Sequence, residues 1–186
     1  MKTIIALGNI GDEYKHIRHN VAWIICDELI AEDSWQENKY VPGDLASTRI
    51  ENEDILFVKP HTYMNKSGDV LPYLQKTYGT KLEDLIVIHD DIDLPIGAIK
   101  ISYDRGDGGH NGVKSIMSAT GSKEFTRIRV GVSILDETGT LRKPDVLGDF
   151  SKEDLNVIKD ILAPRVSKII TTLALSGREK AMTLYN

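Results

Sequence analysis

Histidines, carboxylates and side-chain amides follow four strand-like segments of the chain, and together they form a set suited to acid–base hydrolysis. In an open α/β sheet, ligands bind at the carboxyl ends of the strands, so four such loops can converge on one crevice. A histidine oriented by a carboxylate can activate water, and amide donors can hold a polarised carbonyl. The loops are Gly-Asn-Ile-Gly at 8–11 with Arg-His-Asn at 18–20, Tyr-Met-Asn at 63–65, His-Asp at 89–90, and Gly-Gly-His-Asn-Gly at 108–112.

The sequence disfavours a covalent nucleophile and a bound dinucleotide. No serine lies in a GxSxG motif, and Cys26 is surrounded by apolar residues in a predicted helix. The Gly-Asn-Ile-Gly segment lacks the third glycine of a dinucleotide-binding fingerprint, which favours a simple tight turn. Taken singly, His61 and His110 are typical of ordinary loop histidines.

Two metal sites are open as alternatives. His16 and His19 are three residues apart, but no HExxH motif follows them. The acidic run at 89–93 can chelate Mg²⁺ through Asp90, Asp91 and Asp93, or it can be a solvated strand end.

Length and composition predict one domain over residues 1–186. The chain has a mass of 20.8 kDa, with 41% hydrophobic and 27% charged residues, which is typical of a single folded core. The lone cysteine excludes an internal disulfide, and no apolar run is long enough for a signal segment or a membrane span, so we expect a cytoplasmic protein.

The net charge of −5 gives no general argument for nucleic-acid binding, but the charge is unevenly distributed. Residues 97–131 contain six basic and three acidic side chains, and the segment after residue 163 is also basic. Such a distribution is also common by chance.

Alternating strands and helices predict an α/β domain with a mixed sheet. Asn20 and Asn111 are expected as N-caps, and Ser151 with Asp154 resembles a capping box. The expected strands are 2–7, 45–50, 55–59, 85–88, 99–103 and 128–133, and the expected helices are 21 to about 33, 67–78, 112–119 and the C-terminal third.

Four segments in a fixed order resemble the bacterial-type peptidyl-tRNA hydrolase family. They are NIGDEYKHIRHN from Asn9, KPHTYMNKSG from Lys59, HDDIDLPIG from His89 and GGHNG from Gly108. The resemblance implies a single phosphorylase/hydrolase-like α/β domain, with a mixed twisted sheet flanked by helices. It also implies a monomeric enzyme that hydrolyses the ester between a peptide and the terminal ribose of tRNA, with no cofactor, no metal and no DNA or membrane partner.

The resemblance also implies roles for individual residues. His19 matches the catalytic base, Asp90 matches its orienting carboxylate, and Asn9 matches an amide that contacts the substrate. We expect the Asn9 oxygen to distinguish an N-blocked substrate nitrogen from a free ammonium. The remaining substrate-binding and tRNA-binding positions are Asn65, Asn111, Tyr14, Tyr63 and Arg129, the last supported by Arg127.

The chain departs from the family pattern at several positions. Ile10 replaces a proline, which removes a fixed φ next to Asn9. Ser102 occupies the place of a second phosphate-binding cation, for which Lys100 and Arg105 are the nearby substitutes. These departures leave one further alternative open, which is an RNA-binding homologue without turnover.

Overall fold

An eight-stranded mixed sheet with helices on both faces organises the chain, and the computed structural model describes all residues from Met1 to Asn186. The strands run in the order β2-β3-β4-β1-β5-β7-β6, with β8 paired to β7. They are β1 Lys2–Ala6, β2 Gln36–Glu37, β3 Gly43–Ile50, β4 Glu53–Pro60, β5 Leu85–Pro95, β6 Ile99–Ser102, β7 Thr126–Leu135 and β8 Leu141–Arg142.

The helices cover the two faces of the sheet. They are α1 Val21–Leu29, α2 Leu71–Tyr78, α3 Asn111–Thr120, α4 Lys152–Val157 and α5 Ala163–Tyr185. A π-helical turn, Ile158–Leu162, joins the last two. No helix of the chain combines the length and the apolarity needed to cross a membrane.

Strand alternation divides the hydrophobic core into two layers. On β1, Ile4 and Ala6 face a cluster that includes α1 and α5, whereas Ile5 and Leu7 face a cluster that includes α2 and α3. Because both faces of the parallel strands β4, β1, β5 and β7 are covered, these strands are apolar along most of their length.

The parallel strands β1, β4 and β5 carry three of the four polar segments, and the fourth, the glycine-rich loop, follows β6. Strand β5 continues beyond the expected 85–88 to Pro95, so His89 and Asp90 lie within it. Both side chains are buried, so the alternative of a solvated strand end is wrong for these two residues, while Asp93 at the far end of the acidic run is exposed. The register of β5 against β7 shifts between Asp91 and Pro95, where a Cβ on Gly131 would lie only 2.0 Å from the Pro95 carbonyl oxygen.

The expected strands 45–50 and 55–59 pair as an antiparallel hairpin, β3 with β4, and the capping box of Ser151 and Asp154 is confirmed. Two helices differ from their predicted bounds. Helix α1 ends at Leu29 rather than near 33. The segment predicted as one helix over 67–78 is a 3₁₀ helix, Met64–Val70, followed by α2. Pro72 falls in the first turn of α2, where its missing N–H costs nothing.

One of the two predicted asparagine caps is found in its expected position. Asn20 is the N-cap residue of α1, although its side chain makes no cap hydrogen bond there, whereas α3 is capped by His110, one residue before Asn111. In α3 the His110 side chain accepts hydrogen bonds from the backbone N–H groups of Gly112 and Val113.

The segment before α4 holds the loop that carries His19. Backbone N–H groups of Arg18 and His19 donate to the carbonyls of Gly148 and Val146, at 3.0 and 2.9 Å. The buried Arg18 guanidinium lies 4.9 Å from the Phe150 ring centroid. The C-terminal helical region is thereby tied to the site at the sheet edge.

Candidate active site

A buried carboxylate on β5 contacts two imidazoles. One oxygen of Asp90 lies 2.8 Å from His19 Nδ1 and 2.7 Å from His110 Nε2. The Asp90 side chain is 2% exposed, while those of His19 and His110 are 12% and 9% exposed. This places the carboxylate at the base of the site and both rings at its surface.

The two imidazoles keep Asp90 ionised. Burial opposes its negative charge, but the charge interactions and hydrogen bonds of His110 and His19 outweigh burial and hold the pKa of the carboxyl well below its usual range. An ionised Asp90 accepts from His19 Nδ1–H and leaves Nε2 of His19 as the basic nitrogen.

A third histidine stays neutral behind the first two. The fully buried His89 ring lies 4.8 Å from the His110 ring centroid, and its Nδ1 is 2.6 Å from the Asp90 backbone oxygen. Burial holds the pKa of His89 well below its usual value. His89 therefore adds no charge next to Asp90 at neutral pH.

His19, Asp90 and His110 are the residues that offer a set of metal ligand atoms, all within 4.8 Å of one another. The helix cap opposes metal binding there. His110 Nδ1 accepts from two backbone N–H groups, at 3.1 and 3.3 Å, so the ring proton must be on Nε2, the atom that a metal would need. The hydrogen bonds therefore favour a proton-transfer site over a metal site.

The Mg²⁺ alternative also fails on geometry. Asp91 pairs with Arg129 at 2.6 Å, and Asp93 pairs with Lys143 at 2.7 Å, while Asp90 is held by the histidines. The three carboxylates thus have three different sets of partners and do not converge on one ion.

Asn9 is fixed at both its backbone and its side chain. Asn20 clamps the Asn9 backbone, accepting from its N–H at 2.8 Å and donating to its carbonyl at 2.9 Å. Met64 N–H donates to Asn9 Oδ1 at 2.9 Å, which assigns the amide orientation and leaves the NH₂ group available. The clamp replaces the rigidity that a proline at Ile10 would supply.

This geometry favours a donor role for Asn9 over the expected acceptor role. Its oxygen already accepts one backbone hydrogen bond, whereas its NH₂ group has no partner, so the unpaired group that Asn9 offers to a ligand is a donor. A donor suits a carbonyl oxygen or developing oxyanion, not the nitrogen of the substrate.

A cavity of about 210 Å³ adjoins the three polar residues His19, Asp90 and His110. Its walls come from the ends of β5 and β7, the glycine loop before α3, and the segment before α4. Of the expected binding residues, Asn111, Arg105 and Arg129 line it.

The other expected binding residues lie outside this cavity. Asn65 and Tyr63 are exposed at the start of the Met64–Val70 turn, and Tyr14 is half-buried in the loop before His19. Lys100 is exposed on β6, in a second hollow of about 650 Å³ that also contains Ser102. Arg105 and Arg129 line both hollows.

Sequence reasoning named His110, Asn20 and Asp91 but did not predict their contacts in the site, which are with Asp90, Asn9 and Arg129 respectively. His110 looks like an ordinary loop histidine until its two ring nitrogens are seen to cap α3 and contact Asp90. Its position next to Asn111 in the glycine loop is the one signal that the sequence carries for it. The low reactivity expected of Cys26 is consistent with its burial, which raises the pKa of its thiol to about 12.

These features define a mixed-sheet α/β enzyme with a histidine–carboxylate pair for acid–base chemistry. The family model described as peptidyl-tRNA hydrolase matches residues 3–186. The chain therefore belongs to the peptidyl-tRNA hydrolase family.

Individual relatives agree over nearly the whole chain. Peptidyl-tRNA hydrolase of Aliarcobacter butzleri is 40% identical over 91% of this chain and 90% of its own length. That of Bdellovibrio bacteriovorus is 39% identical over 100% of both chains. A crystal structure of peptidyl-tRNA hydrolase from Acinetobacter baumannii superposes with a TM-score of 0.83 at 27% identity, covering 100% of this chain and 94% of that one.

Asn20→Ala removes both hydrogen bonds that clamp the Asn9 backbone. Because a small displacement of a substrate-positioning group can cost about 100-fold in rate, we expect kcat/KM for a peptidyl-tRNA analogue to fall between about 10-fold and 100-fold. Steady-state hydrolysis measures this, and Asn156→Ala, which removes an exposed amide from α4, is the control. Equal rates in the two variants would show that the hydrogen bonds from Asn20 to the Asn9 backbone do not contribute to hydrolysis.

Acid unfolding tests the ionised Asp90. Its folded pKa is depressed, so its contribution to stability is present above the unfolded pKa of about 4 and is lost as pH falls through the folded pKa. We expect the unfolding free energy of Asp90→Asn to depend less on pH below about 4, by up to about 1.4 kcal/mol per pH unit. Denaturant titrations from pH 7 to 2 measure the two slopes, and identical slopes would contradict the assignment.

Proposed function

We propose that the chain hydrolyses the ester between a peptide and the terminal ribose of tRNA, with His19 as the base that activates water. The observation that carries the proposal is the hydrogen bond between His19 Nδ1 and the buried Asp90 carboxylate. That bond fixes the tautomer in which Nε2 can take a proton. Family membership supports the substrate.

The chemical step balances with these groups alone. His19 Nε2 takes a proton from water while the water oxygen forms a bond to the ester carbonyl carbon. The tetrahedral intermediate then breaks its bond to the ribose oxygen, which receives the proton from His19. The products are free tRNA and a peptide with a carboxylic acid end.

Side-chain amides stabilise the charge that develops on the carbonyl oxygen. The Asn9 NH₂ is free to donate, because its oxygen is held by Met64 N–H. A preorganised donor of this kind contributes about 3 kcal/mol to transition-state stabilisation in comparable sites. Asn111, exposed at the cavity wall, and Asn65, exposed on the turn after β4, supply the further amides for contacts to the peptide and substrate.

Donor chemistry at Asn9 also supports discrimination against ordinary aminoacyl-tRNA. A free α-ammonium carries only donors, so it cannot pair with the Asn9 NH₂. An N-blocked substrate brings an additional carbonyl oxygen that can accept from such a group. The unpaired Asn9 NH₂ group therefore favours substrates whose α-nitrogen is blocked by an acyl group.

The tRNA lies over the edge that carries Lys100, Arg105 and Arg129, with Tyr14 and Tyr63 as aromatic contacts. Ser102, buried with an unpartnered hydroxyl in the second hollow, adds a hydrogen-bond donor where a cation is absent. We propose a cytoplasmic monomer that recycles tRNA, uses no metal or cofactor, and has no DNA or membrane partner. A binding protein without turnover is disfavoured, because His19, Asp90 and Asn9 are all held in position.

The direct test is release of an N-acetylaminoacyl group from tRNA in the presence of EDTA. We expect rapid release by the native chain, little release from free aminoacyl-tRNA, and at least a 1,000-fold loss of kcat in His19→Ala with tRNA affinity unchanged, because removing a residue of such a catalytic set costs about that factor or more. The control is His16→Ala, an exposed histidine three residues away.

The outcomes separate the candidates. tRNA binding without release by the native chain would favour the non-catalytic homologue, and loss of activity in EDTA would revive a metal mechanism. A normal rate in His19→Ala would remove His19 from the chemistry.

The salt dependence of KM tests the phosphate contacts. Lys100→Gln and Arg105→Gln should each raise KM, leave kcat within about twofold, and reduce the slope of log KM against log salt by about 1, because each removes one cation from a phosphate. The control is Arg49→Gln, an exposed cation on β3 near the opposite edge of the sheet. An unchanged slope in both variants would place the phosphates elsewhere.

A further inference from the structure

A buried guanidinium lies beneath the loop that carries His110. The Arg127 side chain belongs to β7 and is 2% exposed. The loop above it, residues 103–110, contains no helix or strand, and Gly108 and Gly109 have φ values of 62° and 83°. Loops of this kind have many accessible conformations, so a defined position needs specific contacts.

Arg127 provides two such contacts from the sheet. Its Nη1 donates to the Gly106 carbonyl at 3.0 Å, and its Nη2 donates to the Arg105 carbonyl at 2.5 Å. The planar guanidinium can satisfy two successive carbonyls at once, which a single ammonium cannot do with the same geometry. The Phe125 ring, with its centroid 5.8 Å away, packs beside it.

Arg127 is a buried positive charge, and its two contacts must offset the cost of removing that charge from water. Burial lowers its pKa to about 10, so it stays protonated at neutral pH. It forms no ion pair, since the neighbouring carboxylate Asp91 is taken by Arg129. A buried cation without a carboxylate partner is costly unless its donors find acceptors. Here the two loop carbonyls accept from Nη1 and Nη2, and Nε has no partner, so the loop carbonyls are the acceptors that stabilise the buried guanidinium.

The Arg105 and Gly106 carbonyls are connected to the Asp90 carboxylate through a short series of hydrogen bonds. The next residue, Asp107, accepts from the His110 backbone N–H at 3.1 Å and, through its side chain, from Gly109 N–H at 2.7 Å. His110 then donates to Asp90 at 2.7 Å. Fixing Arg105 and Gly106 therefore fixes where the His110 ring meets Asp90.

We propose that Arg127 is a positioning residue for hydrolysis, acting through the 105–110 loop to hold His110 against Asp90. The effect on hydrolysis rests on the proposed function, but the effect on the loop does not. Both Arg127 and Arg129 border the cavity, but their partners differ: Arg127 donates to backbone carbonyls of the loop, whereas Arg129, two residues along β7, pairs with the Asp91 carboxylate.

The experiment compares Arg127→Lys with the native chain by turnover and by amide hydrogen exchange. Lysine keeps the charge but cannot bridge both carbonyls, so we expect kcat to fall about 10-fold to 100-fold with KM within about threefold. We also expect the amide protons of Gly109 and His110 to exchange at least 10-fold faster. The control is Arg142→Lys, a 74% exposed cation on β8.

Chemical rescue adds a readout that a general loss of stability would not give. Arg127→Ala leaves a hole of guanidinium size, so millimolar guanidinium should restore several-fold activity and methylammonium should not. Arg127→Gln is the second variant if Arg127→Lys or Arg127→Ala fails to fold. It buries no charge and cannot bridge both carbonyls, so we expect a lower kcat and faster exchange at Gly109 and His110 in this variant as well.

The readouts separate the two proposals. Native turnover and exchange in Arg127→Lys would overturn the positioning role. Faster exchange at Gly109 and His110 with no change in kcat would limit Arg127 to loop structure and reject its part in hydrolysis. Absence of hydrolysis by the native chain would reject the proposed function, while amide exchange would still decide the anchor.

Discussion

The carboxylate of Asp90 is the constraint on which the rest of the site depends. It is buried within β5, where an unpaired negative charge would be strongly unfavourable, so its partners must approach closely. Those partners come from two separate loops, one before α1 and one before α3. A single buried oxygen thereby sets the distance between His19 and His110, whose ring centroids are 4.9 Å apart.

Each loop is then held by a contact of its own. The His19 loop pairs with the segment before α4, and the clamp from Asn20 extends this order to Asn9. The His110 loop is capped onto α3 at one end and anchored by Arg127 at the other. His19, His110 and Asn9, the groups proposed to act on substrate, therefore lie on loops whose conformations are restricted by specific contacts. Electrostatic preorganisation requires such restricted groups.

The sequence predicted the sheet better than it predicted the contacts between loops. Alternation at Ile128, Val130 and Val132 was enough to place one face of β7 in the core, because side-chain period depends only on local backbone geometry. The true end of β5 was not predictable in the same way, since buried polar residues such as His89 look like a solvated terminus until their partners are known. His110 and Asn20 are similar cases, because their side chains form hydrogen bonds to residues that are distant in the sequence. From local propensity alone, His110 was predicted as a loop histidine and Asn20 as an N-cap.

The charge distribution explains how an acidic chain can act on a polyanion without holding it too tightly. Asp91 pairs with Arg129, and Asp93 with Lys143, so two of the cations near the cavity are already neutralised. Lys100 and Arg105 remain exposed without a carboxylate partner. Binding that is equally strong for substrate, transition state and product lowers KM without raising kcat, and it slows the departure of the tRNA product. With the phosphates at this edge, as proposed, its partial neutralisation favours turnover. The proposed Asn9 contact differs in kind, because its amide is uncharged and donates to a carbonyl oxygen.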